Sequence, residues 1–354
     1  MHAKRKDPPA ALLVRAVNWL GDAVLTTPAL SAVREAFPAA RIVLAARHLV
    51  AELFRHHPDV DEILVYDKAG THSGAAGMLR MAAELRRRRF DVALLLQNAF
   101  DAALLAFLAG VPERMGYATD GRRLLLTQAI PVTEETRRLH HAEYYLRLVA
   151  GLGIHLPASP RMRLRVTREE TDAMEERLSS LGIPKGKRIL GINPGATYGS
   201  AKRWFPDRFA AVTDVLSEEW GASVVLMGSV PERPLAEEIE AAMRQTPLNL
   251  AGRTTVRELM ALLSLCSFLV TNDSGPMHIA AALGVPLAAI FGPTDWRTTS
   301  PWTDKARIVR VGVDCSPCML RECNRGHECM LGVTAEMVVA AARELFPESP
   351  REAG

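Results

Sequence analysis

No apolar run in this chain approaches the roughly twenty residues that a membrane-crossing helix needs, and the basic opening MHAKRK passes into a strand-like segment without a cleavable leader pattern. A cytoplasmic protein is expected. Cysteine is scarce, at five in 354 residues, which argues against a secreted disulfide framework. Short repeats and low-complexity tracts are missing. Only residues 1–9 and 348–354 read as loose tails. Neither the G-x-G-x-x-G turn of dinucleotide sites nor the G-x-x-x-x-G-K-[ST] loop of P-loop enzymes is found, so both chemistries lose their usual sequence support.

What is present fits a folded two-domain protein: 48% of residues are hydrophobic and 23% charged, over a length too great for one ordinary core. The formal net charge of +3 is unevenly shared. Residues 1–166 hold 23 Lys and Arg against 16 Asp and Glu, and the remainder 20 against 24. A basic first lobe suits an anionic surface or a phosphorylated acceptor, with Arg86, Arg87, Arg88 and Arg89 as the densest patch. The plainer reading of that run is a solvated helix end. Nucleic acid is not expected as a partner, because no aromatic residues interleave the basic ones and no binding motif accompanies them.

Strand-like runs alternate with helical periodicity: strands at 12–17, 42–46, 63–66 and 92–97, with a helix over 22–37. Residues 156–166, carrying Pro157, Pro160 and scattered Arg, break the pattern as a linker. A second series follows, with strands near 189–193, 223–227, 268–271 and 287–291 and helices near 206–219, 232–244, 256–263 and 275–283. This alternation is the signature of parallel sheets with crossover helices. It predicts an α/β chain of two Rossmann-like lobes, 1–160 and 161–333. A last helix over 334–346, in a terminal segment 334–354, is free to pack back across the first lobe.

Ligands of open α/β sheets gather at the carboxyl ends of strands, so the strand-to-helix turns are where chemistry is sought. In the turn Asn18-Trp19-Leu20-Gly21-Asp22, Gly21 permits a tight bend, and Asp22 sits at a helix N-terminus that stabilises its ionised form. Asp22 is either a helix cap or a carboxylate placed as general base. In Thr271-Asn272-Asp273-Ser274-Gly275-Pro276-Met277-His278, small residues leave backbone N–H groups at a helix mouth to receive an anion, making Ser274 and Gly275 phosphate contacts. Asp273 also reads as a cap and His278 as a packing residue. The loop NPGATYGSAKRW, 193–204, adds the hydroxyls of Thr197 and Ser200 and the cation of Lys202. Glu232, in the first turn after another strand, is placed to reach ribose hydroxyls.

Together with RAVNWLGDAVLTTPAL and TNDSGPMHIAAALGVPLAAIFGPTD, that loop resembles the family 9 glycosyltransferases that transfer heptose in lipopolysaccharide core assembly. The likeness spans residues 11 to about 345. It implies a GT-B fold, two lobes facing across a cleft, with Asp22 as catalytic base and Thr197, Lys202, Glu232, Asp273, Ser274, Gly275 and His278 around ADP-heptose. Tyr198 falls where a relative has threonine. The implied reaction is inverting transfer of heptose from ADP-heptose to the first heptose of a phosphorylated lipid A–core acceptor, met peripherally at the inner membrane. Other acceptors within the family stay open, as do a sugar-nucleotide epimerase and a non-catalytic cysteine-stapled binding module.

No cofactor is required by such a scheme, and no D-x-D pair is placed to hold a sugar-nucleotide metal. Cys315, Cys318, Cys323 and Cys329, with His327 between the last two, have a spacing that either holds structural zinc or forms a loop of reduced thiols.

Overall fold

The computed structural model describes residues 8–346. The tails expected at 348–354 and over most of 1–9 lie outside the described residues. The chain divides into two compact units, the first ending at Arg165 and the second beginning at Val166, and residues 155–166 at the division form no helix or strand.

The first unit is built on six parallel strands: β1 (Ala11–Arg15), β2 (Arg41–Ala46), β3 (Glu62–Val65), β4 (Val92–Leu95), β5 (Glu113–Tyr117) and β6 (Gln128–Ile130), in the order β3-β2-β1-β4-β5-β6. The second repeats the plan with β7 (Ile189–Asn193), β8 (Ser223–Leu226), β9 (Leu248–Asn249), β10 (Phe268–Asn272), β11 (Leu287–Ile290) and β12 (Ala306–Val309), ordered β12-β11-β10-β7-β8-β9. Each order is the doubly wound one. Its reversal lies between β1 and β4 in the first sheet and between β7 and β10 in the second, and such switch points open a crevice at the carboxyl edge.

Apolar strands covered on both faces make the cores. Leu13, Val43, Ala93 and Leu95 pack with Met81, Leu85 and Leu105 in the first unit. Leu190, Ile192, Val270 and Ile290 pack with Trp204, Phe209 and Leu216 in the second. The helix expected over 22–37 is two helices, Leu20–Leu25 and Thr27–Ala36. Pro28 is in the first turn of the second, where its missing N–H costs nothing. Gly21 is part of the first helix and not a separate bend. The last helix, Ala335–Leu345, buries Val338, Val339 and Ala342 in the second unit's own core. Among the described residues, no helix is long and apolar enough to cross a membrane.

Candidate active site

The second unit gathers most of the chemistry. The loop after β7 and the turn after β10 leave the two strands that flank its switch point. Asn193, at the end of β7, donates through Nδ2 to Thr271 Oγ1 (3.0 Å) and Ser274 Oγ (2.9 Å). Asn272 Nδ2 donates to the Pro194 carbonyl at 2.6 Å, while its Oδ1 accepts the Trp204 N–H at 3.3 Å. Buried amides thus fasten the two segments to each other, as low-dielectric surroundings demand of polar groups.

Lys202 and Asp273 meet across this junction with Nζ 2.6 Å from Oδ2, and their side chains are only 12% and 5% exposed. Thr294, from the turn after β11, donates to the same Oδ2 at 2.6 Å. The Lys202 ammonium also lies 4.8 Å from the Tyr198 ring centroid, a cation–π contact. That explains a tyrosine in this loop: its ring flanks the cation, and its hydroxyl donates to the Met319 carbonyl at 2.7 Å.

Beside the pair opens the helix Gly275–Ala282. Its N-cap, Ser274, makes no side-chain capping bond, so the first-turn N–H groups are left to another acceptor, in the manner of helix termini that bind anions. His278 is buried within this helix, and Thr197 is exposed on the facing loop. Glu232 is brought to the same edge: its Oε2 accepts from Ser229 N (2.7 Å) and Ser229 Oγ (2.6 Å), a capping box at the end of β8. Its carboxyl group lies against Gly195, where a Cβ would sit 2.2 Å from Oε1. The sequence-predicted donor residues therefore share one edge of one sheet.

In the first unit, Asp22 lies in the first turn of Leu20–Leu25 beyond the carboxyl end of β1, and its neighbour Trp19 is 53% exposed. Asp22 Oδ1 is 3.2 Å from His141 Nδ1. Sequence reading missed His141, Thr294 and Asn193. The second and third stood inside recognised motifs, whereas nothing local marks the first.

The arginines at 86–89, expected as an acceptor-side basic patch or a solvated helix end, precede β4 and so stand at the amino edge of the parallel sheet, opposite the turn that carries Asp22. Arg88 is engaged by Glu62 and Glu84, and Arg86 donates to the Leu108 carbonyl. Cys315, Cys318 and Cys323 all lie close enough to Cys329 to act on its thiol, although among the described residues no three His, Cys, Asp or Glu side chains form a metal-holding group as they stand. Cys323 Sγ is turned to the Arg325 carbonyl, and His327 Nε2 is 2.8 Å from the Ala201 carbonyl. Cys329 is buried, and burial, with the other three cysteines adding to it, pushes its thiol up. Hydrogen bonds tie this loop to the segment bearing Lys202 at Tyr198 and Ala201, and Gly199 packs against it. A Cβ at Gly199 would lie 2.1 Å from the Arg321 carbonyl oxygen.

The chain is similar over nearly its whole length to known proteins. Lipopolysaccharide heptosyltransferase 2 of Salmonella typhimurium is 30% identical over 348 residues, covering 95% of this chain and 99% of the relative. The solved Escherichia coli ADP-heptose lps heptosyltransferase II superposes with a TM-score of 0.80 at 27% identity, covering 95% and 98%. A glycosyl transferase family 9 structure from Veillonella parvula reaches 0.88 at 26%, covering 98% and 100%. The α/β, GT-B class expected from the sequence is that of these neighbours. Residues 78–328 match Glycosyltransferase family 9 (heptosyltransferase), and this chain, a glycosyltransferase, belongs to that family.

Proposed function

We propose that the enzyme transfers L-glycero-D-manno-heptose from ADP-heptose to the first heptose of the lipopolysaccharide inner core, with inversion at the anomeric carbon. The observation that carries the reading is the Lys202 ammonium, held by Asp273 at the mouth of the helix Gly275–Ala282. A fixed cation beside unsatisfied backbone N–H groups is what a departing nucleoside diphosphate needs, because preorganised dipoles stabilise charge as it develops. The names of the Salmonella and E. coli relatives support heptose as the sugar and ADP as the carrier.

In this scheme Asp22 accepts the proton of the acceptor hydroxyl as that oxygen attacks the anomeric carbon, and the bond to ADP breaks on the opposite face. Lys202 and the N–H groups at Ser274 and Gly275 receive the diphosphate, with Thr197 beside them. Glu232 reaches the ribose hydroxyls, and His278 orients the turn. The exposed ring of Trp19, three residues before Asp22, offers an apolar face to the acceptor sugar. The acceptor is a phosphorylated lipid A–core, approached from the cytoplasmic side by peripheral contact with the inner membrane.

The test is incubation of purified protein with ADP-heptose and defined precursors carrying no, one or two heptoses, reading ADP release and mass gain. Gain of one heptose on the one-heptose precursor alone is expected. Transfer confined to either other precursor would reassign the acceptor, and no transfer to any would end the reading.

A further inference from the structure

We propose that His141 is a positioning residue for Asp22, holding one carboxylate oxygen so that the other is presented to the acceptor hydroxyl. The inference rests on the reading of Asp22 as general base.

The two residues are 119 positions apart, yet Nδ1 stands 3.2 Å from Oδ1. His141 is the first residue of the helix His141–Gly151, and the capping of that helix is done by its neighbour: His140 Nδ1 accepts the Ala142 N–H at 3.2 Å. The His141 ring is therefore not needed as a cap. Its backbone is fixed from several sides. Tyr145, Leu146, Leu148 and Val149 are buried, the Tyr144 carbonyl accepts the Tyr117 hydroxyl at 2.7 Å, and the Tyr144 hydroxyl accepts Asn98 Nδ2 at 2.6 Å. Asn98 follows β4, and β4 lies beside β1 at the switch point, so the helix bearing His141 and the turn bearing Asp22 are anchored to neighbouring strands. Tyr145, whose buried phenol is raised by burial and further by Asp22, stands near the pair, with Tyr144 and Tyr117 beyond it.

The chemistry follows from geometry. His141 and Asp22 side chains are 39% and 33% exposed, so their attraction contributes little to stability. Orientation is what a hydrogen bond at this site supplies. With the proton on Nδ1, the imidazole donates to Oδ1, leaving Oδ2 for the proton that the sugar hydroxyl gives up. A carboxylate free to rotate spends less time in that pose, and misplacement by an ångström commonly lowers the rate by about a hundredfold.

The experiment compares wild type, His141→Ala, His141→Asn and Asp22→Asn with ADP-heptose and the one-heptose precursor. His141→Ala is expected to lower kcat roughly 10- to 100-fold with the Kd for ADP unchanged. The Asn amide can stand in for Nδ1–H, so His141→Asn should recover most of kcat. Full kcat in His141→Ala, or a His141→Asn variant no faster than His141→Ala, overturns the proposal. Should His141→Ala not fold, His141→Phe takes its place beside His141→Asn, and equal kcat in those two overturns the proposal. An active Asp22→Asn variant would instead sink the general-base reading, and the role of His141 with it.

Discussion

Removing the cation from the Lys202–Asp273 pair should separate two roles that the pair combines. In Lys202→Met, Asp273 keeps the Thr294 hydroxyl but loses its counter-charge while remaining 5% exposed. Breaking a buried pair from one side costs about 3–5 kcal/mol. The surviving hydroxyl and the partial exposure of Lys202 favour the lower end, about 3 kcal/mol. For a unit of this size that lowers its melting transition by roughly 6–12 °C. A charged hydrogen bond to the diphosphate is worth about 1.5–3 kcal/mol, so ADP affinity should fall roughly 10- to 150-fold. The double variant Lys202→Met with Asp273→Asn removes both charges, and its stability should return to within about 1 kcal/mol of wild type, whereas ADP binding stays weak. Calorimetric melting that resolves the second unit's transition, paired with titration calorimetry of ADP, reads both. A single variant that melts with wild type, or a double variant that binds ADP normally, would refute the reasoning.

Asp22→Asn should lower kcat by about a hundredfold to ten-thousandfold, as loss of a general base does, with ADP affinity retained; near-normal turnover in the precursor assay would remove Asp22 from the role. Gly195→Ala places a methyl 2.2 Å from the Glu232 carboxyl, and displacing Glu232 from Ser229 should destabilise the second unit by about 1–3 kcal/mol and weaken ADP binding. An unchanged melt would show that the contact yields freely. Cys266 is buried, and burial pushes its thiol up to about 12. Below the ordinary thiol value both folded and unfolded chains hold that proton. As pH rises past about 8.5 only the unfolded chain releases it, so stability falls by about 1.4 kcal/mol per pH unit until the folded value is reached. Cys266→Ala should make this alkaline loss shallower than in wild type, by comparison of denaturant melts, and thiol titration of the native protein should reach Cys323 well before Cys266 or Cys329.

Much of this architecture was legible because central strands of parallel sheets, covered on both faces, are written as apolar runs: β1, β7 and β10 are buried at every position. The strands that escaped notice differ in kind. β5 (ERMGY), β6 (QAI), β9 (LN) and β12 (ARIV) are short, near or at sheet edges, and only partly covered, so polar residues break their pattern. Periodicity also ran across Thr26, because both helices bury the same kind of face; only Pro28 hinted at the division. The grouping of the expected donor residues was readable since most of them lie in two motifs that the doubly wound order brings to one edge. Thr294 stood in the quoted FGPTD stretch, but its bond to Asp273 crosses from the next strand's turn and has no local mark. His141 and Asp22 are linked only through the tertiary fold, and no spacing rule spans 119 residues. For the arginine run, composition reports the sign of a lobe and not which end of a sheet a charge occupies, which only the strand order shows.

The strap formed by residues 315–331 has a practical consequence. Because the Ala201 amide donates to the Arg321 carbonyl at 3.0 Å, protection of that one amide from solvent exchange reports whether a segment more than a hundred residues downstream is in place. A chain shortened before Cys315 would lose the far wall against which the lysine loop rests and also the helix Ala335–Leu345, whose Val338, Val339 and Ala342 lie in the second unit's core, so its sheet should lose stability along with that loop.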